Sequence, residues 1–319
     1  MAGPAQTDTV LTLPVDDAVI IFRTARSSVH GRIVRLGPVA DKILKAHALP
    51  HVASNALGEV LVLAALLGSA LPGSGNIAVQ TRTNGLVSVL YADCEAPGRL
   101  RGYARCDAGT LAALKASGEP VDPARIFGEG HLAFTIDQGA ASERYQGVIA
   151  LDGGTLAATS AQYFEQRENL PTFMRLAIAQ HYAGANSGLS AAMNWRGGGL
   201  MIQNPMPLED ESGDDPWSRV RMLTATVEDH ELLDPALSAE RLLLRLFHEE
   251  GVIIDRVLPL STYCKCARER IASVLQSFGS DDISDMRDEH GKIAVTCEFC
   301  AATYAFELQE IVMPPDAAS

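Results

Sequence analysis

Four of the six cysteines in this chain fall within its last 56 residues, as Cys264-Lys265-Cys266 and Cys297-Glu298-Phe299-Cys300, with 30 residues between the pairs. Two short knuckles of this kind can bring four thiolates into the tetrahedral set that Zn²⁺ takes at about 2.3 Å in closed structural sites. The segment 256–319 has only 64 residues, and a unit that small buries too little apolar surface to be secure without a staple. A zinc–thiolate centre would contribute about 10–16 kcal/mol of folding free energy. Cys264, Cys266, Cys297 and Cys300 are therefore the candidate Zn²⁺ ligands. Between them Arg268–Phe278 reads as a helix, Asp281–Asp288 as a shorter one, and Lys292–Thr296 as a strand entering the second knuckle. Adjacent thiolates also oxidise, and losing the metal would remove the folding energy. Both an inert zinc ribbon and a thiol-operated sensor stay open on the spacing alone.

The remaining 255 residues are of a different kind. The whole chain of 319 residues is 47% hydrophobic and 20% charged, enough for a proper core and for two or three domains. The net charge of −13 is unevenly spread. Residues 1–205 carry 16 basic and 16 acidic side chains, residues 206–255 carry 4 and 13, and residues 256–319 carry 6 and 10. This predicts a neutral body (1–205), an acidic linker (206–255) and a small zinc-binding tail (256–319). An acidic surface repels phosphate backbones, so neither nucleic acid nor an anionic membrane is an expected partner. The most apolar run, Val60–Leu67, is far shorter than the ~20 residues a bilayer demands. The acidic N-terminus does not read as a signal peptide. A cytoplasmic setting follows as the expectation, and there thiols are kept reduced.

In the body, Ala18–Thr24 and Val29–Leu36 read as strands with a turn at Arg26–Ser28, and Asp41–Leu71 as helical, broken near Pro50. Asn76–Thr83, Leu86–Tyr91 and Arg99–Arg105 follow as strands, the first two joined by the turn dipeptide Asn84-Gly85. His131–Asp137 and Arg144–Leu151 suggest another hairpin, Leu156–Arg167 a helix, and Thr172–Gln180, Leu189–Trp195 and Gly199–Gln203 strands, with Gly197-Gly198-Gly199 as a hairpin loop. Short connections between strands imply antiparallel pairing, so the fold class is α+β, a mostly antiparallel sheet with packed helices, followed by a helical linker and the small tail. In the linker, Trp217–Glu231 and Leu237–Glu250 are helical patterns. The second carries Leu242, Leu243, Leu244, Leu246 and Phe247, an apolar surface that must cover something. Held inside a strongly acidic segment, that helix pair is expected to pack only conditionally.

Cys94 and Cys106 have no partner spacing and read as small core residues. His47 and His51 read as surface histidines and His290 as part of a turn. Gly73-Ser74-Gly75 follows a helix and precedes a strand, the reverse of a phosphate-binding loop. There is no P-loop, no G-x-S-x-G and no cluster suited to acid–base work, so the chain is not expected to be an enzyme.

The cysteine pattern stands in a wider context: Cys264-Lys265-Cys266-Ala267-Arg268-Glu269-Arg270, Arg245-Leu246-Phe247-His248-Glu249-Glu250, Glu143-Arg144-Tyr145-Gln146-Gly147-Val148, Tyr163-Phe164 and Glu168-Asn169-Leu170-Pro171-Thr172. With these motifs the chain resembles the heat shock protein 33 family, redox-regulated chaperones, from about Ala18 to about Val312. It departs in its N-terminal extension, across Glu209–Asp215 and around Gly184–Gly199. The resemblance implies an ATP-independent holdase that is inactive while its four cysteines hold Zn²⁺. It further implies that oxidants link Cys264 to Cys266 and Cys297 to Cys300, that zinc leaves and tail and linker unfold, and that homodimers then bind unfolding client proteins. The competing functions are a thiol–disulfide oxidoreductase using Cys297 and Cys300, and an inert zinc-ribbon module.

Overall fold

The first hairpin follows from its residues. Ala18–Thr24 (β1) and His30–Leu36 (β2) are rich in β-branched side chains and pair antiparallel, Ala18 opposite Arg35 and Arg23 opposite His30. The computed structural model describes residues 16–118, 123–139, 144–183, 192–205 and 215–312. The N-terminal extension, Glu143, the beginning of the strand expected from Leu189, and the acidic run from Leu208 to Asp214 lie outside the described residues. Next come α1 (Pro38–Ala46), with proline in its first turn, and α2 (His51–Gly68), which starts directly after Pro50. A meander of β3 (Asn76–Thr83), β4 (Val87–Glu95) and β5 (Arg99–Cys106) is followed by α3 (Ala108–Ser117), capped by the Asp107 carboxylate, and α4 (Pro123–Phe127). Then β6 (Glu129–Asp137), β7 (Tyr145–Asp152), the Thr155-capped α5 (Leu156–Arg167), β8 (Thr172–Ala183) and β9 (Ala192–Gln203) complete the body.

After it lie α6 (Pro216–Ala225), α7 (Asp229–Leu233), α8 (Ala239–Phe247), β10 (Val252–Pro259) and β11 (Ser261–Thr262). The tail holds α9 (Arg268–Leu275), α10 (Ser280–Asp285), β12 (Lys292–Thr296), β13 (Thr303–Glu307) and α11 (Leu308–Val312). One sheet runs β10-β1-β2-β9-β8, the second β11-β5-β4-β3-β6-β7, and β12 and β13 form a third. Every pairing is antiparallel except β11 on β5, so the fold is α+β as expected.

The two large sheets share one helix. α2 lies between them and is buried for most of its length, its leucines sharing one core with Val34 and Met201 of the first sheet and Val79, Leu90 and Phe134 of the second. By length and composition this 18-residue helix is apolar enough to cross a membrane, but 78% of it is buried inside the fold.

The triple glycine is not a loop. Gly197, Gly198 and Gly199 sit inside β9, paired with β2 and β8. A Cβ on Gly199 would stand 2.5 Å from Val62 of α2, and one on Gly198 would stand 2.6 Å from the Leu232 carbonyl of α7. Helices crowd both faces of this strand, and only glycine lets them approach. The expected Trp217–Glu231 helix is two helices, because Glu228 starts a new one with a reciprocal Glu228/Glu231 capping box. α3, α4, β10 and β11 answer to no sequence expectation.

The apolar face of the linker finds its cover here. Leu242, Leu243, Leu246 and Phe247 of α8, with Val220, Leu232 and Leu233, pack on Ile20, Phe22, Ile33, Leu200 and Ile202 of the first sheet. Arg35, itself buried, donates to the Glu231 and Asp234 carbonyls at 2.8 and 2.6 Å, and Arg196 donates to the Leu233 carbonyl at 2.8 Å. Strand β10 carries residues 255 and 256 alike into the first sheet, spanning the junction expected between linker and tail.

Candidate metal centre

The four cysteines are delivered by the two ends of the tail. Cys264 and Cys266 follow β11, with the Tyr263 amide still bonded to the Leu100 carbonyl of β5 at 3.2 Å. Cys297 and Cys300 sit in the turn between β12 and β13, where the Cys297 amide donates to the Ala302 carbonyl and the Ala301 amide to the Cys297 carbonyl, both at 2.9 Å. This tight knuckle turns both thiols inward.

All four Sγ atoms lie within 4.8 Å of one another. Cys264 Sγ is 3.1 Å from Cys266 Sγ and 3.6 Å from Cys297 Sγ, and Cys266 Sγ is 3.4 Å from Cys300 Sγ. A tetrahedron with metal–sulfur bonds of about 2.3 Å has edges of ~3.8 Å, so the donor set fits one thiophilic ion. The thiols are free of disulfides. The Tyr304 hydroxyl, 3.3 Å from Cys266 Sγ, is a further polar neighbour that the sequence did not reveal. Its hydrogen bond, aided by the neighbouring thiols, brings the Cys266 thiol down to about 7. Burial pushes Cys264 up to about 12 and raises Cys300.

The second knuckle also touches the body. Phe299 meets Tyr91 and Tyr103 edge-on, with ring centroids 5.7 and 5.1 Å away, and the Arg101 guanidinium lies 4.1 Å from its ring centre. Beside it Glu298 pairs with Arg105 at 2.6 Å, and across the first knuckle Lys265 pairs with Glu95 at 2.6 Å. Beneath these contacts lies Asp93, fully buried, which accepts from Arg101 Nη2 at 2.7 Å and from the Tyr263 hydroxyl at 2.7 Å. The residue preceding the first ligand is therefore fixed to the body by a charge-assisted bond.

Of the histidines, His47 is not a surface group: it is half-buried, 3.0 Å from the Gly102 carbonyl of β5, because α1 packs against that strand. His51 is exposed and lies against the Trp195 ring at 5.1 Å. His290 sits in a turn closed by the Asp288 carboxylate, outside the sulfur cluster. Cys94 is buried against α2 and pushed up to about 12 by burial, while Cys106 is half-buried at the end of β5.

Comparison with known proteins agrees with this architecture. Residues 17–307 match the family model described as Hsp33 protein. The 33 kDa chaperonin of Caulobacter vibrioides is 39% identical over 295 residues, covering 92% of this chain and 95% of that protein. That of Methylobacillus flagellatus is 30% identical over 313 residues, covering 95% and 98%. The crystal structure of the 33 kDa chaperonin (heat shock protein 33 homolog) of Thermotoga maritima superposes with a TM-score of 0.71 over 92% of this chain and 96% of that one, at 21% identity, and so shares the fold. With its motifs, its fold and nearly its whole length accounted for in this way, the chain belongs to the Hsp33 family.

Proposed function

We propose that this protein is an ATP-independent holdase chaperone whose access to clients is governed by the oxidation state of Cys264, Cys266, Cys297 and Cys300. The family and the chaperonin name of its relatives support a chaperone, a protein that binds others rather than converting them. One observation carries the finer reading. The knuckle that closes the sulfur cluster is the same segment that seats Phe299 on Tyr91 and Tyr103, so the state of the sulfurs decides whether the tail stays docked.

Zn²⁺ held by the four thiolates would contribute folding free energy to a tail whose own core is five buried side chains, Leu275, Ile283, Ile293, Phe306 and Ile311. Oxidation would join Cys264 to Cys266 and Cys297 to Cys300, the pairing implied by the family resemblance, each pair of thiols giving one disulfide as one peroxide is reduced to two waters. The two knuckles would then no longer be tied to each other. With Phe299 undocked, Arg101 loses the ring beside its bond to Asp93, the carboxylate that holds Tyr263, so β11 loosens and the end of β10 with it. α8 packs beside β10, so the linker helices lose support and uncover the apolar face of the first sheet. That surface contributes roughly 25 cal/mol per Å² when a client covers it, with no nucleotide involved. Homodimer formation on oxidation and a cytoplasmic setting belong to the same reading. The domain limits proposed are 1–205, 206–255 and 256–319.

The oxidoreductase alternative needs a cysteine at a helix N-terminus; the Cys297–Cys300 pair lies in a strand-to-strand turn instead. The deciding experiment measures zinc content, free thiols and suppression of client aggregation before and after peroxide with mild heat. Loss of four thiols and of zinc, together with the appearance of suppression, is expected. Equal suppression in both states would remove the switch. In the same assay, serine at any one of the four positions is expected to lower zinc retention.

A further inference from the structure

A cavity that the chaperone reading leaves unused lies between the two sheets, at the C-terminal ends of α2 and α5. It measures about 660 Å³, within the range of small-molecule sites and far larger than a packing defect. Leu67, Ile77, Phe134, Phe164 and Met201 make its walls apolar.

Two charges break that apolar lining, and they are provided for differently. Glu168 accepts from the hydroxyls of Tyr145 at 2.6 Å and Tyr163 at 2.9 Å, so its carboxylate already has donors. Arg32 has no such complement. Nη1 donates to Gln203 Oε1 at 2.8 Å, while Nε is buried with no hydrogen-bond partner among the described residues. No carboxylate among those residues forms an ion pair with it. The charge that does act on it is another cation, Arg256, whose guanidinium donates to the Ser69 carbonyl. A half-buried guanidinium that a neighbouring cation repels and that has no counterion among the described residues is costly in a folded protein, and the cost is relieved when an anion occupies the space before it.

We propose that this cavity binds a small amphipathic monocarboxylate, its head on the Arg32 guanidinium and its hydrocarbon body along the apolar walls. The head is small and singly charged because only part of the guanidinium fork is available, Nη1 being committed to Gln203. A dianionic phosphate would need more donors than one edge of an arginine offers. The body is a short chain or ring, as the cavity volume dictates. Glu168 stands against a second anionic group at its own side of the cavity.

The test uses the full-length, reduced protein and three ten-carbon probes that differ in the head: decanoate, decanol and decyltrimethylammonium. Calorimetry is expected to show one saturable decanoate site, with decanol at least tenfold weaker and the ammonium probe silent. In ¹⁵N spectra the Arg32 Nε–H resonance is expected to shift with decanoate. Arg32→Gln is expected to weaken decanoate at least tenfold, whereas Glu168→Gln leaves it as tight or tighter. Equal affinity for decanoate and decanol, or decanoate bound at several equivalent sites without movement of the Arg32 resonance, would overturn the proposal. So would no saturable binding at all. Should Arg32→Gln fail to fold, the comparison of heads and the Arg32 resonance in the unaltered protein still decide.

Discussion

Phe299 shows how much a single side chain between two cysteines of the cluster can matter. It touches two tyrosines and one guanidinium of the body, and such contacts contribute about 0.5–1.5 kcal/mol each. Phe299→Ala is therefore expected to weaken docking of the tail by roughly 1–3 kcal/mol while leaving all four thiols in place. Hydrogen exchange should show faster exchange across residues 263–304 with zinc content unchanged. Glu59 supplies a residue-scale prediction of another kind. Burial in the α2 face, reinforced by the nearby charge of Asp229, pushes its carboxyl up to about 7 from the ordinary 4.5. The folded protein thus holds this proton more tightly than the unfolded chain does. The favourable contribution is complete below pH 4.5, declines between pH 4.5 and 7, and is gone above 7. Glu59→Gln is expected to flatten that slope and to stabilise the protein at pH 8 by roughly 2–3 kcal/mol relative to the parent, read from urea titrations at the two pH values. The four clustered cysteines were legible as a candidate metal set because cysteine spacing is a local code. Tyr304, Asp93 and Arg101 were not, since nothing in their own neighbourhoods marks a tyrosine or an ion pair as belonging to a site assembled from distant strands.

At the scale of elements, β9 and α8 carry the linkage between body and linker. β9 has helices on both faces, and the absence of a side chain at Gly198 is what admits the Leu232 backbone of α7. Gly198→Ala is expected to force α7 outward at a cost of about 1–3 kcal/mol. Binding of a hydrophobic dye should rise in the reduced protein, with zinc retained. Leu242→Ala, in the face of α8 that covers the first sheet, is expected to cost about 2–5 kcal/mol and to act in the same direction. Residue pattern revealed β3, α5 and β12 to the residue. The same reasoning misplaced the glycine run, because a gap between two helices and a turn call for the same residue. It also passed over β10, whose Val252-Ile253-Ile254 run is strand-like but whose partner β1 lies more than two hundred positions earlier.

At the scale of the whole molecule, the three hydrophobic clusters differ in size. The body has a large core built on α2, the linker helices have one face on the first sheet, and the tail has five buried apolar side chains. Loss of order should accordingly begin in the tail, proceed to α6–α8 and leave the body folded. Limited proteolysis after treatment with a chelator is expected to cut first beyond residue 263, then between 215 and 251, and to leave a resistant fragment ending before 206. Simultaneous loss of all three would contradict this order. The chain by itself determined the α+β class, the four cysteines as a candidate metal set, the acidic character of the linker and the need of its leucines for a cover, because spacing, periodicity and charge are local properties written along the backbone. Only the tertiary structure decided what that cover is, where Phe299 docks and that Arg32 lines a cavity with no counterion among the described residues. Those outcomes depend on which surfaces meet once two sheets close around one helix, and no local stretch of sequence contains that.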